Sequence, residues 1–128
     1  MSATKFNQLL KKLNTNGELI IEVPNSNDAL LTLYNNSAFK KFTYWSCHLF
    51  AYNQKNIKLL LNQTGFKVTK IKHIQRFPYT NHFGWIKDNK GGGQNRYKTS
   101  KLINYFYTLF LKLTKKTDTI IVFARKSE

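Results

Sequence analysis

The sequence predicts one α/β domain over residues 1–128, with helices flanking a sheet that ends in an antiparallel strand pair. Residues 18–23 form an apolar run without polar alternation, which is typical of a strand covered on both faces in a parallel sheet. Helical patterns flank this run, and two later strand patterns are separated by a long loop and a helix. With 128 residues, 41% of them hydrophobic, the chain is long enough for one core.

The first half begins with a helix whose apolar stripe has the spacing i, i+3, i+4 and i+7. The stripe consists of Phe6, Leu9, Leu10 and Leu13. Asn16-Gly17 ends this helix, and Pro24 stops the strand that follows. Residues 29–34 predict a short helix. Residues 35–52 are dense in aromatic side chains and follow neither period, so they predict an irregular, mostly buried connection.

The second half begins with a helix that Asn53 caps and Gly65 closes. The next strand starts at Phe66, and its apolar phase shifts before Ile71, which predicts a bulge. After Phe77-Pro78, the glycine-rich residues 79–97 predict a loop. Residues 100–113 predict an amphipathic helix, too short to span a bilayer, that is buried or grazes a membrane; we expect burial. Residues 118–125 form the third strand.

The charge of the chain is strongly positive. Twenty-one Lys and Arg against six Asp and Glu give a net charge of +15, which favours anionic partners such as nucleic acid, acidic lipid or phosphorylated substrates. A general bias towards lysine and asparagine would produce the same pattern. The single cysteine, Cys47, cannot form an internal disulfide and indicates a reducing compartment. No segment has the length and hydropathy of a membrane span or leader, so we expect a cytoplasmic protein.

Four motifs follow one another along nearly the whole chain. "LLKKLNTNGELIIEVPN" contains a leucine-rich helix, a glycine turn and an apolar strand, and "HLFAYNQKNIKLLLNQTGFKV" contains a histidine, a capped Leu-Leu helix and a Gly-Phe pair opening a strand. "NHFGWIKDNKGGGQN" is a polar insert, and "DTIIVFARK" is a closing strand. In this order the motifs resemble the fifth strand, sixth strand, insert and seventh strand of class I S-adenosylmethionine-dependent methyltransferases, as found in a bacterial methyltransferase-domain family.

The resemblance implies the C-terminal portion of a Rossmann-like methyltransferase sheet, in which the antiparallel closing strand is inserted next to the fifth. Residues 18–23 would be a buried parallel-type strand, and the other two strands an antiparallel pair. The family holds S-adenosylmethionine with a GxGxG turn after the first strand and an acidic residue ending the second. Neither is present here, and we interpret Gly91, Gly92 and Gly93 as a flexible turn. The chain would therefore lack the cofactor-binding N-terminal half and be inactive alone.

The same resemblance nominates residues beside the acceptor pocket, because open α/β sheets bind ligands at the carboxyl ends of their strands. His48 is the predicted catalytic base, since an imidazole can take a proton from an acceptor at neutral pH. The residues predicted to bind a small metabolite or sugar are Asn25, Trp45, Arg76, Asn81, His82 and Trp85. Two alternatives stay open: His48 packs as a structural histidine, and His82 with Trp85 anchors the loop.

Two other functions remain open, and no metal site is predicted. Aromatic residues between Tyr44 and Trp85 lie among cations, as in single-stranded nucleic-acid-binding modules, although no RNA-binding motif of known spacing is present. A regulatory or pseudoenzyme half could instead self-associate, or pair with another chain, through an unpaired sheet edge. The three histidines and one cysteine do not have the spacing of zinc ligands.

Overall fold

A computed structural model describes residues 3–46 and 52–127. The architecture is mixed α/β, with helices flanking a three-stranded antiparallel sheet. In chain order the elements are α1 (Ala3–Lys12), β1 (Glu18–Pro24), α2 (Ala29–Thr32), α3 (Ser37–Ser46), α4 (Gln54–Gln63), β2 (Phe66–Ile74), α5 (Tyr79–Asp88), α6 (Gly93–Arg96), α7 (Lys101–Leu113) and β3 (Thr119–Lys126).

The last strand of the chain, β3, is the central strand of the sheet. It pairs antiparallel with β1 on one side and with β2 on the other. Val122 of β3 lies opposite both Ile21 and Ile71. The predicted antiparallel pair of the last two strands is therefore confirmed. The predicted bulge is also confirmed, because the register of β2 shifts between Val68 and Lys70.

The prediction of β1 as a parallel-type strand buried on both faces is wrong for the described chain. β1 runs antiparallel to its neighbour β3, and no other described strand borders its second edge. Ile21 and Val23 are buried, but Ile20 is 58% exposed, so only one face is covered. The prediction failed because an apolar run shows which side chains can be buried but does not show which strands or helices lie beside them. The second edge presents backbone groups that another strand could bind.

Helices α1 and α4 cover the buried face of the sheet. Phe6 of α1 and both Ile57 and Leu61 of α4 are fully buried in one cluster with the inward side chains of the strands. The predicted cap of α4 is confirmed, because the side chain of Asn53 accepts a hydrogen bond from the Asn56 amide at 2.9 Å. The side-chain oxygen of Asn56 in turn accepts a hydrogen bond from the Asn53 amide at 2.7 Å. This capping box fixes where α4 starts.

Two segments predicted to be irregular are helical. Ser37–Ser46 forms α3 within the expected irregular connection, and Tyr79–Asp88 forms α5 within the expected loop. Pro78 directly precedes α5, where its missing N–H removes no intrahelical bond. Two of the three glycines in the predicted turn after α5, Gly91 and Gly93, make close contacts. A Cβ atom on Gly93 would lie 2.0 Å from the Thr80 carbonyl oxygen, so only glycine lets α6 start against α5.

The helix predicted for residues 100–113 is confirmed as α7, but its predicted burial is wrong. Ser100 caps it by accepting a hydrogen bond from the Ile103 amide at 3.4 Å. Leu111 is fully buried, whereas most other apolar side chains of α7 are exposed to solvent. Within the described part of the chain, no helix combines the length and hydropathy needed to cross a membrane.

Candidate functional site

A cavity of about 370 Å³ lies at the carboxyl end of β1. Small-molecule sites in proteins have volumes of about 300 to 1,000 Å³. The walls come from the end of β1, the start of β3, helices α2, α3 and α5, and the glycine turn before α6. Four of the predicted substrate-binding residues line this cavity: Asn25, Asn81, His82 and Trp85.

One wall of the cavity is aromatic. The ring of Trp85 lies 5.2 Å from that of Phe39 in a T-shaped contact and 5.3 Å from that of Phe42 in a tilted one. Gly91 packs closely on the indole: a Cβ atom at this position would lie 3.2 Å from the ring. Trp85 is only 7% exposed. It therefore contributes an apolar wall to the cavity, and it is not a surface platform on which a nucleobase could stack.

Asp28 is a buried carboxyl group in the same cavity. Its side chain is 4% exposed and accepts a hydrogen bond from the Leu30 amide at 2.8 Å, at the start of α2. Burial is the main cause that raises the pKa of Asp28 to about 7; the negative charge of Asp118 raises it further, and the amide bond opposes both. A carboxyl group that titrates near neutral pH can both accept and release a proton, which is what general acid–base catalysis requires.

His82 is the centre of a hydrogen-bonded chain behind the cavity. Its Nδ1 lies 2.6 Å from the Tyr107 hydroxyl, which lies 2.9 Å from the Tyr34 hydroxyl. Gln75 accepts a hydrogen bond from the Asp118 amide through Oε1, so its Nε2 is the donor towards Nε2 of His82 at 3.4 Å. The imidazole then carries its proton on Nδ1 and donates it to Tyr107.

Neither His82 nor Tyr107 changes its protonation state near neutral pH. Burial lowers the pKa of His82 to about 4, so the imidazole is neutral at pH 7. Burial, reinforced by the bond to Tyr34, raises the pKa of Tyr107 far above its usual range. Both ring nitrogens of His82 have partners, and the side chain is 3% exposed. These contacts suit a residue that positions its neighbours better than one that takes a proton from a ligand.

Asn25 connects the end of β1 to the turn before β3. Its side-chain amide donates to the carbonyl oxygens of Lys115, at 3.1 Å, and Thr117, at 2.8 Å. Its side-chain oxygen accepts from the Asn27 amide at 3.0 Å. Asn25 is 2% exposed and lines the cavity, but these bonds use its polar atoms to hold the cavity in shape.

Gln94 supplies a polar atom without a partner. Its Oε1 is buried, makes no hydrogen bond within the described chain, and belongs to a side chain that lines the cavity. A buried acceptor without a partner costs about 1 to 3 kcal/mol, which a ligand donor would recover. Gln94 is therefore the described side chain best placed to accept a hydrogen bond from a ligand.

The remaining predicted residues are not brought into the cavity by the described structure. Arg76 forms an ion pair with Glu22, and its backbone amide donates to Asp118 at 3.0 Å. It therefore fastens the end of β2 to β1 and β3. The backbone of Trp45 belongs to α3, but its side chain lies outside the described part, as does the whole of His48. The roles predicted for those two residues stay predictions.

The described residues do not form a complete site for S-adenosylmethionine. The run of three glycines follows α5 rather than a strand, and two of its members pack against Trp85 and Thr80. It does not have the strand–turn–helix context in which a glycine-rich turn holds such a cofactor. No group of three described His, Cys, Asp or Glu side chains is placed to hold a metal ion.

Asp28, Tyr107 and Gln94 are the site residues that the sequence analysis missed. Asp28 carried a usable signal, since an acidic residue directly before an apolar helical stretch is a typical N-cap and the chain has only six acidic residues. Tyr107 lies on a helix that the pattern assigned to the core. Gln94 lies in the segment predicted to be a loop, and nothing in the sequence indicates that its oxygen is buried.

Comparisons with known proteins assign no family to the chain. No protein-family model matches the sequence. A search of curated proteins also finds no significant match.

Proposed function

We propose that this chain forms the C-terminal part of a class I S-adenosylmethionine-dependent methyltransferase and supplies its acceptor-binding pocket. The strand order supports the proposal. The family's antiparallel closing strand is inserted next to the fifth strand, and here β3, which carries the closing motif, lies antiparallel beside β1, which carries the fifth-strand motif. β2, with the sixth-strand motif, pairs with the other side of β3.

The open side of the sheet is consistent with a larger fold. β1 has a second edge without a described partner, and Ile20 is exposed on the face that α1 and α4 do not cover. The preceding strands of a methyltransferase sheet would pair with this edge and carry the cofactor contacts that the chain lacks. On this proposal the 128 residues alone bind no S-adenosylmethionine.

The observation that carries the proposal is the cavity at the carboxyl end of β1, with Asp28 buried among aromatic walls. A volume of about 370 Å³ suits a small acceptor with an apolar ring or chain and few polar groups. Asp28 is the candidate base for an acceptor hydroxyl or carbon acid, because its pKa lies near the working pH. His48 remains the alternative base. Gln94 would orient the acceptor, and the chain of His82 would keep the wall in place.

Binding of the cofactor tests the proposal. Isothermal titration calorimetry with S-adenosylmethionine should detect no binding to the 128-residue chain, meaning a Kd above about 1 mM. A chain extended by the residues encoded directly upstream of Met1 should bind it with a micromolar Kd. Tight binding by the short chain, or an upstream frame without an apolar strand followed by a GxGxG turn, contradicts the proposal.

The two candidate bases can be separated in the extended protein once an acceptor is found. If Asp28 is the base, Asp28→Asn lowers kcat by about 10² to 10⁴-fold with a smaller change in KM, and His48→Gln has little effect. The reverse result assigns the base to His48 and leaves Asp28 a structural role. Asp88→Asn, at the C-terminal end of α5 and outside the lining of the cavity, is the control and should leave kcat unchanged.

A further inference from the structure

Helix α7 is oriented with its polar side towards the domain. Asn104 accepts a hydrogen bond from the Tyr79 amide at 3.0 Å, and the Tyr107 hydroxyl contacts His82 at 2.6 Å. Leu111, the fully buried residue of α7, lies on the same side. The inward side therefore uses hydrogen bonds to fix the helix on α5. This is the reverse of the usual surface helix, whose apolar stripe faces the core.

The outward side of α7 is a continuous apolar surface. Its exposed fractions run from 42% for Leu109 to 75% for Leu113. The members of this outward face are Leu102, Ile103, Tyr105, Phe106, Leu109, Phe110 and Leu113. At 100° per residue they cover an arc of about 160°. A 13-residue helix is about 20 Å long, so the face could lie along an apolar boundary but could not cross a bilayer.

Basic side chains lie along one border of the outward face and beyond both of its ends. Four exposed lysines lie on α7 or directly beside its ends: Lys98, Lys101, Lys112 and Lys115. Lys101 and Lys112 border the apolar arc, where their aliphatic stems can lie along it while the ammonium groups stay in water. Residues 89–117 contain no aspartate or glutamate at all. The matching partner is therefore apolar where it meets the arc and anionic where it meets the lysines.

We propose that α7 docks on the surface of an anionic lipid bilayer, with its outward face immersed at the boundary between headgroups and acyl chains. A wide apolar arc bordered by lysines is the pattern of helices that lie in this interface. Anionic lipid is abundant on the cytoplasmic leaflet. A second copy of the chain fits less well, because each copy carries a net charge of +15 and the pairing would oppose the same lysines. This inference does not depend on the methyltransferase proposal.

Co-sedimentation of the 128-residue chain with lipid vesicles tests the inference. Vesicles of phosphatidylcholine with about 30% phosphatidylglycerol should bind the chain, and pure phosphatidylcholine should bind it about tenfold more weakly. The double variant Phe106→Ser with Leu113→Ser should lose at least about tenfold in affinity for the anionic vesicles. These side chains are exposed, so circular dichroism should report an unchanged fold and melting curve.

A matched control removes the same residue types from other exposed positions. Phe83→Ser with Leu59→Ser, at side chains 45% and 56% exposed, should leave vesicle binding unchanged. Equal loss in the two double variants, or no preference for anionic vesicles, overturns the inference. Light scattering provides the other decisive result. A dimer that the α7 variant dissociates, without vesicle binding by the original chain, would assign the outward face to a second copy.

Discussion

Replacing Asp28 with asparagine tests whether a buried acid has been kept at a cost in stability. The pKa of Asp28 rises from an ordinary value of 3.8 to about 7. At 1.36 kcal/mol per pH unit, this difference corresponds to about 4 kcal/mol of unfolding free energy. Asparagine keeps a side-chain oxygen that can accept the Leu30 amide but cannot ionise. Asp28→Asn should therefore stabilise the chain at pH 8 by about 2 to 4 kcal/mol.

The direction of the pH effect on stability follows from the number of protons that the folded and unfolded states bind. Between about pH 4 and 7 the folded state holds a proton on Asp28 that the unfolded state has released, so stability falls as the pH rises through this window. His82 acts in the opposite direction. Its pKa is lowered from 6.5 to about 4, so stability falls as the pH decreases through that interval. The two slopes oppose each other in the unmodified chain, and Asp28→Asn should leave the slope of His82 alone.

Urea unfolding followed by circular dichroism at several pH values from about 4 to 8.5 measures the effect. We expect the free energies of unfolding of the original chain and of Asp28→Asn to be similar near pH 4 and to diverge as the pH rises. Asp88→Asn is the control, since hydrogen bonding from Tyr97 holds the pKa of Asp88 below its usual range and its removal should bring no gain. Parallel pH profiles for the original chain and Asp28→Asn would refute the reasoning.

Two further predictions concern the glycine turn and the positive charge. Gly93→Ala should destabilise the chain by about 2 to 3 kcal/mol, because a Cβ atom would lie 2.0 Å from the Thr80 carbonyl oxygen. Asn95→Ala in the same helix should cost less than about 1 kcal/mol by the same urea unfolding assay, and equal losses would contradict the close contact. Binding of a fluorescent oligonucleotide, followed by anisotropy, should collapse between about 50 and 200 mM salt. Binding that survives would favour the nucleic-acid alternative.

The parts of the fold predicted correctly are those with strong local signals. Asn53 before the helix of Ile57 and Leu61 has one dominant physical interpretation, and so does the phase shift before Ile71. The helices α3 and α5 were missed because aromatic residues and glycines blur the 3.6-residue period. Gly84 lies within α5 because Gly93 packs closely against it: a Cβ atom at position 84 would lie 2.7 Å from the Gly93 Cα. That contact is not visible in the local sequence.

The candidate site was predicted only in part, for a related reason. Asn81, His82 and Trp85 were nominated through the family resemblance, and all three line the cavity. Asp28 was missed because its importance comes from burial, which depends on helices that pack around it from distant parts of the chain. Tyr107 was missed because a hydropathy pattern places the apolar side of a helix against the core. In α7 the side with Tyr107 and its hydrogen bond to His82 faces the domain instead.

Hydrogen exchange along β1 tests the central claim, that the sheet continues beyond the edge of β1 that has no described strand partner, most directly. In the 128-residue chain, the β1 amides that do not bond to β3 should exchange fast. In the chain extended upstream of Met1, the same amides should slow by about 100-fold or more, because a further strand pairs with them. Unchanged fast exchange in the extended chain would contradict the account.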